Sequence, residues 1–100
     1  MFISGQAPIA ADGQLVGAGD FEAQTRQVFE NLATVVEEAG ATLESVVKLT
    51  VFLTDMKTLQ EYTRIKGEFF RGEQPASTAV EVSALARPEM LVEVEAMAVL

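Results

Sequence analysis

The last ten residues of this 100-residue chain alternate in character as a β-strand does. One set is apolar throughout and comprises Val92, Val94, Ala96, Ala98 and Leu100, whereas the other set comprises Glu93, Glu95, Met97 and Val99. Because successive residues of a strand point to opposite faces, the first set predicts a surface that packs on a core. A second face that mixes carboxylates with large apolar side chains predicts an interface or a pocket. Glu93 is therefore the residue on which a functional interpretation depends.

The N-terminal part of the chain predicts a β-hairpin followed by a helix. A short strand over residues 3–6 is stopped by Pro8, the pair Asp12-Gly13 is a turn signal, and residues 15–16 predict a short returning strand. Asp20 is the expected N-cap of a helix whose apolar residues recur at helical spacing. Gly40 is the expected C-cap residue.

The C-terminal part predicts a central strand, a second helix and two further strands. Residues 45–53 alternate, with Val47, Leu49, Val51 and Leu53 expected on one side. Residues 58–61 have the sequence of a capping box, which predicts that Thr58 begins the second helix and that Glu61 reaches back to it. Gly72 and Pro75 end that helix and its loop, and residues 78–83 and 91–99 form the last two strands.

These elements predict a single α+β domain over residues 1–100, with a mixed sheet and two helices on one face. Two helices can cover only one face of such a sheet. The uncovered face is expected to carry Lys48, Thr50 and Phe52 together with either Glu93 and Glu95 or their neighbours. A half-apolar face without a covering layer predicts an oligomer.

The composition excludes several classes of chemistry. The chain has neither histidine nor cysteine, which removes Ser-His-Asp and Cys-His catalysis and sites made of thiolate or imidazole ligands. Any metal would have to be a hard cation held by carboxylates. We expect no metal and no cofactor. Fifteen acidic residues against seven basic ones disfavour nucleic acid as a partner. The basic residues Lys57, Arg64, Lys66 and Arg71 cluster in sequence, but acidic residues are interleaved among them.

No apolar run reaches the roughly 20 residues of a membrane span, and no secretory signal is visible. We therefore expect a soluble cytoplasmic protein without a membrane partner.

Several segments resemble one known family, in order and with similar spacing over almost the whole chain. They are Ser4–Pro8, Glu22–Gln27, Glu30–Leu32, Ala39–Ala41, Val46–Met56, Phe69–Phe70 and Val92–Ala96. Each segment alone is a weak signal, but together they resemble the YjgF/RidA family specifically. The usual N-terminal segment of that family, with its tyrosine, is not matched.

The resemblance implies a chorismate-mutase-like α+β fold, a homotrimer and small-molecule sites in the clefts between subunits. It further implies hydrolysis of reactive enamines and imines to a carbonyl compound and ammonia. The alternative is a trimeric small-molecule-binding protein that keeps the clefts without the chemistry.

The residue matches are partial. Glu93 matches the family glutamate that helps to place or activate the attacking water, and Ser4 and Gly5 match residues of the binding cleft. Glu93 as an ordinary, partly solvated strand carboxylate is the competing interpretation, and a general acid or base would need to be buried in the cleft.

At several positions of the binding site that the resemblance implies, this chain departs from the family pattern. Ser77 stands where the active deaminases have an arginine that clamps the substrate carboxylate, and serine lacks the guanidinium fork that such a clamp requires. Thr63 stands where the family has an asparagine. Ala79 is a further candidate for substrate binding, and Arg87 is the one arginine of its loop that could supply the missing positive charge.

Overall fold

A computed structural model describes residues 1–100, and its secondary structure follows the hydrophobic periodicities of the sequence. The strands are β1 (Phe2–Gln6), β2 (Val46–Leu53), β3 (Ala76–Glu81) and β4 (Val92–Ala98), and the helices are α1 (Phe21–Glu38) and α2 (Leu59–Phe69). The spatial order of the strands is β1-β4-β2-β3. The β1–β4 and β4–β2 pairs are antiparallel, and the β2–β3 pair is parallel. This mixed sheet with two packed helices confirms the predicted α+β class and the central position of β2.

The alternation in β4 sets the two faces of the sheet. One set of alternate residues is at most 5% exposed and comprises Val92, Val94, Ala96 and Ala98. Glu95 and Met97, which lie between them, are exposed. The buried set packs with Leu49 and Val51 of β2 and with the apolar faces of the helices in one continuous core. Burial of large aliphatic side chains on one side is the main stabilising term of such a layer.

A β-bulge at the start of β2 corrects one predicted face. The pairing with β4 shifts register between Val46 and Lys48. Val46 is therefore buried, while Val47, which we expected on the core side with Leu49, is 46% exposed. A bulge adds one residue to the strand, so the side chains before it point to the opposite face from the one that alternation predicts. The apolar pattern of the sequence does not reveal where such a bulge lies.

The first helix begins and ends as predicted. The Asp20 carboxylate accepts a hydrogen bond from the Ala23 backbone N–H at 3.1 Å, which satisfies one of the free donors of the first turn. After the last helical residues, Gly40 has a φ of 83°, a left-handed conformation that glycine adopts without steric cost.

Thr58 is the N-cap residue of α2, as predicted, but the predicted capping-box hydrogen bonds are absent. A 3-10 turn at Met56–Thr58 precedes α2, so Thr58 already has helical backbone angles and its N–H donates to the Asp55 carbonyl at 3.0 Å. The cap is the Asp55 carboxylate, which accepts from the Lys57 N–H at 2.9 Å. Helical backbone therefore begins at Met56, one turn before α2. Both Asp55 and Thr58 have short polar side chains that can cap a helical turn, and the sequence alone does not show which of them does so.

The predicted N-terminal hairpin is confirmed in part. The chain turns at Asp12-Gly13 and returns at residues 15–16, where Leu15 bridges Ile9 and the Val16 N–H donates to the Pro8 carbonyl at 2.9 Å. The returning segment pairs with residues 8–10 and not with β1, so it adds no strand to the sheet. The Ala7 and Ile9 carbonyls accept hydrogen bonds from the Asn31 amide of α1, at 3.0 and 2.9 Å, which holds this segment on the helix. Pro8 further removes a ladder donor. The strand β3 lies two residues earlier than predicted, at Ala76–Glu81 instead of 78–83. The strand β4 is one residue shorter at each end than the predicted 91–99.

No helix combines the length and the apolar content that crossing a membrane requires.

Candidate functional site

A bulge in β1 brings Gly5 against the Glu93 carboxyl group. The pairing with β4 passes from Ile3 opposite Ala96 to Gln6 opposite Val94, so Ser4 and Gly5 together face a single residue of β4. A Cβ on Gly5 would lie 2.7 Å from both Cδ and Oε2 of Glu93. Gly5 does not have a positive φ, so glycine provides space for the Glu93 side chain here and not a special backbone conformation. The missing side chain lets the carboxylate lie directly on the backbone.

Glu93 is half-buried on the uncovered face, opposite Phe52 of β2. No side chain of the same chain forms an ion pair or a hydrogen bond with its carboxylate. A carboxylate that lies on the backbone and is free of donors can accept a proton from water or from a ligand. The structure thus brings together two of the sequence-predicted residues, Gly5 and Glu93.

A concave surface of about 440 Å³ lies beside this pair on the same face. It is lined by Phe2, Ile3, Ser4, Lys48, Thr50, Glu95, Ala96 and Met97. The predicted residue Ser4 therefore lines a cavity, whereas Glu93 stands at its side and does not line it. The mixture of apolar walls with a few polar groups is typical of small-molecule pockets and of interfaces.

Lys48 is a residue of this cavity that the sequence reasoning did not include in the site. Its ammonium donates to the Leu49 carbonyl at 2.8 Å and to the hydroxyls of Thr50 and Thr78 at 3.3 and 2.9 Å. All three donors are therefore used on neutral acceptors, and no carboxylate lies within 4.0 Å. The available signal was that Lys48 is the one base expected on the uncovered face.

The predicted residues Ser77 and Ala79 lie on β3, at the other edge of the sheet. They pair with Leu49 and Val51 of β2 and share the helix-covered side with them. Two strands separate β3 from β1, so about 14 Å of sheet lies between Ser77 and Gly5. A single chain does not bring Ser77 into contact with Glu93.

Thr63 and Arg87 are likewise separate from the Gly5–Glu93 pair. Thr63 is exposed on α2, and Arg87 is exposed in the loop before β4, where its carbonyl accepts from the Met90 N–H at 3.1 Å. Neither side chain forms a hydrogen bond or an ion pair within the chain. Arg87 therefore does not place a positive charge at Glu93 or Ser77 of its own chain.

Tyr62 of α2 lies next to Ser77 and is only 1% exposed. Its ring packs against Phe29 with the centroids 5.7 Å apart, and its hydroxyl has no hydrogen-bond partner. Burial raises the pKa of the phenol above its ordinary value, and the Ser77 hydroxyl partly offsets that effect. The helical periodicity identified Tyr62 as a core residue, but nothing in the sequence indicated that its hydroxyl would remain unpaired.

Comparisons with known proteins give a consistent result. The family model described as Endoribonuclease L-PSP matches residues 1–100. A RutC family protein of Pyrococcus abyssi is 41% identical over 98 residues, which are 98% of this chain and 76% of the relative.

Solved structures match equally well. A protein of the conserved Rid family from Yersinia pestis, whose function is unknown, superposes with a TM-score of 0.92 at 42% identity, over 97% of this chain and 77% of the other. A member of the YjgF/YER057c/UK114 family from Mycobacterium tuberculosis superposes with a TM-score of 0.85 at 31% identity, over 99% of this chain and 77% of the other. The chain thus spans about three quarters of the length of these relatives.

Proposed function

The chain belongs to the YjgF/RidA family, and we propose from this membership and from the site that it hydrolyses reactive enamines or imines to a carbonyl compound and ammonia. The observation that supports this proposal best is the Glu93 carboxylate, held against Gly5 without any donor of its own chain. A half-buried carboxylate without a donor of its own chain is open to water and to a ligand.

In the proposed reaction, Glu93 accepts a proton from water while the water oxygen bonds to the imine carbon. The C=N double bond becomes a single bond, and its nitrogen takes the proton back from Glu93, which gives a carbinolamine. Glu93 then accepts the hydroxyl proton of the carbinolamine as the C–N bond breaks and the carbonyl forms, and it passes that proton to the nitrogen, which leaves as ammonia. One imine and one water thus give one carbonyl compound and one ammonia, with no cofactor required.

We propose a homotrimer as the active assembly, with the ligand in a cleft between subunits. Two features support it: the separation of Ser77 from Glu93 within one chain, and the apolar side chains on the uncovered face. Phe2 is 87% exposed there and Met97 is 39% exposed. Light scattering at micromolar concentration is expected to give the mass of three chains, and a stable monomer would contradict the assembly.

The decisive experiment on the chemistry compares Glu93→Gln with Glu95→Gln. Both residues lie on the same strand and the same face, but Glu95 is exposed, and the three atoms nearest to a Cβ on Gly5 all belong to Glu93. Ammonia release from freshly generated 2-iminopropanoate is the assay. We expect Glu93→Gln to abolish the hydrolysis and Glu95→Gln to retain it, with both variants folded as judged by circular dichroism. Equal rates in the two variants would remove Glu93 from the reaction.

Because Ser77 replaces an arginine, we expect low activity on substrates that carry a carboxylate. Without a guanidinium beside the site, about 2–5 kcal/mol of charged hydrogen bonding is absent. We therefore expect slow turnover of 2-iminopropanoate by the wild type and faster turnover by Ser77→Arg. Fast wild-type turnover would mean that another cation, such as Arg87 of a neighbouring subunit, binds the carboxylate.

The alternative function is a small-molecule-binding protein without catalysis. It is favoured because neither Ser77 nor the exposed Arg87 provides, within one chain, the positive charge that would clamp a substrate carboxylate. Saturable binding of 2-oxo compounds without any imine hydrolysis would support this alternative.

Ribonuclease activity, which the description of the family model names, finds less support in the surface. The formal net charge is −8, and the best-placed arginine of α2, Arg64, is paired with Glu22, Glu61 and Glu68 at 3.5, 3.9 and 3.4 Å. A phosphate backbone requires uncompensated positive charge, and three carboxylates compensate that of Arg64.

A further inference from the structure

Lys48 is the one basic residue of the four strands, and no carboxylate of its own chain compensates its charge. It is half-buried on the uncovered face, and its ammonium donates to the hydroxyls of Thr78 and Thr50 at 2.9 and 3.3 Å. Glu95 is its diagonal neighbour on β4, within reach of a long side chain, yet the two form no ion pair. The Lys48 side chain therefore extends toward the edge strand β3 and away from β4.

The two threonine hydroxyls and the ammonium together have the chemistry to bind a carboxylate. A hydroxyl that accepts from an ammonium keeps its own hydrogen for a further acceptor. Neither Thr50 nor Thr78 donates that hydrogen to an acceptor of the chain. A carboxylate that approaches from outside can accept from both hydroxyls while it lies close to the ammonium charge. Hydrogen bonds to an ionised acceptor are roughly twice as strong as neutral ones, so an anionic partner suits this group best.

Glu95 is an exposed carboxylate on the same face that has no partner. Its side chain forms no ion pair and no hydrogen bond within the chain. The other two carboxylates of the sheet are placed differently: Glu81 accepts from the Met56 N–H at 2.7 Å, and Glu93 is half-buried against Gly5. A second copy of the chain therefore carries, on this face, the group that Lys48 lacks.

The surface around these charges is apolar on all four strands. Phe2 on β1 is 87% exposed, Met97 on β4 is 39% exposed and Val80 on β3 is 36% exposed. Phe52 of β2 lies half-buried between them. Covering such side chains favours association, and a charge within an apolar contact must meet an opposite charge to offset the loss of its water. A single ion pair in this setting selects one orientation of the two chains.

We propose that the uncovered face binds a second copy of this chain, with Lys48, Thr50 and Thr78 of one copy against the Glu95 carboxylate of the next. The orientation follows from the positions of the two groups, since the ammonium lies toward the β3 edge and Glu95 lies on β4. The β3 side of one copy therefore approaches the β4 strand of the next. The carboxylate-binding group is incomplete in one chain, and the second copy completes it. This inference rests on the proposed assembly and adds the contact that sets the orientation of its subunits.

Reversal of both charges tests the contact. In Lys48→Glu and in Glu95→Lys, like charges face each other between the chains, so each variant should associate at least about 100-fold more weakly than the wild type. The double variant restores opposite charges and should associate within about ten-fold of the wild type. Sedimentation equilibrium over a range of concentrations measures the association. The matched controls are Lys57→Glu and Glu38→Lys, which make the same charge changes at exposed residues outside the strands and should associate as the wild type does.

A cycle with neutral replacements gives the same test if Lys48→Glu does not fold. Lys48→Met keeps the length of the side chain, and Glu95→Gln keeps its shape, but each removes one charge of the pair. We expect either variant to associate about ten-fold more weakly than the wild type, and the double variant to associate no more weakly than either single variant. At concentrations well above its dissociation constant, Glu95→Gln is then still assembled and retains any hydrolysis.

The outcomes separate this contact from the proposed reaction. Wild-type association of Glu95→Lys, or additive effects in the neutral cycle, would overturn the contact whatever the hydrolytic activity. A wild type that stays monomeric would overturn the contact and the assembly together, and hydrolysis by that monomer would leave the reaction standing. If the double reversal restores association and no imine is hydrolysed, the contact stands and the proposed reaction fails.

Discussion

Replacing Gly5 with alanine tests the geometry of the site directly. The added methyl group would lie 2.7 Å from Cδ of Glu93, against about 3.5–4.0 Å for two carbon atoms in ordinary contact. The carboxyl group must therefore move by roughly 1 Å. Glu93 is half-buried and its side chain can rotate away, so the free energy of unfolding should fall only by about 1 kcal/mol, the low end for overpacking.

The cost to activity should be much larger than the cost to stability. A misplacement of about 1 Å at a reacting group can reduce a rate by about 100-fold. Urea denaturation gives the change in stability, and ammonia release from an imine gives the change in rate. Gly67→Ala in α2 is the control, because its added Cβ meets no atom within 4 Å and should stabilise the helix by about 0.5–1 kcal/mol.

A double-mutant cycle identifies Glu93 as the cause. In a Glu93→Ala background the methyl group of Gly5→Ala has no carboxyl group to displace, so its effect on stability should disappear, a coupling of about 1 kcal/mol. The reasoning is refuted if Gly5→Ala keeps its cost in that background, or if Gly5→Ala hydrolyses imines within about three-fold of the wild-type rate.

Two further predictions concern stability. Asp20→Ala should lower the free energy of unfolding by about 1 kcal/mol because the Ala23 N–H loses its acceptor; an unchanged urea midpoint would show that water replaces the cap fully. The phenol of Tyr62 has a raised pKa in the folded state, so above pH 10 the unfolded chain loses this proton first. Its contribution to stability is complete below pH 10 and falls by up to about 1.4 kcal/mol per pH unit above it. Absorbance at 295 nm follows the ionisation, and the same alkaline slope in Tyr62→Phe would assign the effect to other groups.

The sequence predicts the parts of this fold that depend on periodicity. The buried alternation of β4, the helical spacing behind Asp20 and the glycine after α1 each repeat over several residues or have a specific backbone requirement. These features allowed the α+β class, the element order apart from the hairpin, and the uncovered face to be predicted. The position of Glu93 on that face followed from the same alternation.

The parts that the sequence could not predict depend on single contacts. The bulge that exposes Val47 inserts one residue without changing the apolar pattern. The 3-10 turn capped by Asp55 competes with an equally plausible cap at Thr58. The Asn31 amide of a distant helix binds two carbonyls of the segment after β1, and the returning residues pair with that segment instead of with β1. In each case the outcome depends on a tertiary hydrogen bond or on one extra residue, and neither has a periodic signature.

The positions of Glu93 and Ser77 relate the proposed reaction to the assembly. Glu93 lies on β4 and Ser77 lies on the edge strand β3, with β2 between them, so about 10 Å of sheet separates the two strands. Glu93 is on the uncovered face, whereas Ser77 pairs with Leu49 on the helix-covered side. A small imine cannot contact both residues of one chain. Both can act on one ligand only if the β3 edge of one chain approaches the β4 strand of another. Dilution to monomers is then expected to abolish hydrolysis, and unchanged hydrolysis by a monomer would place the whole reaction within one chain.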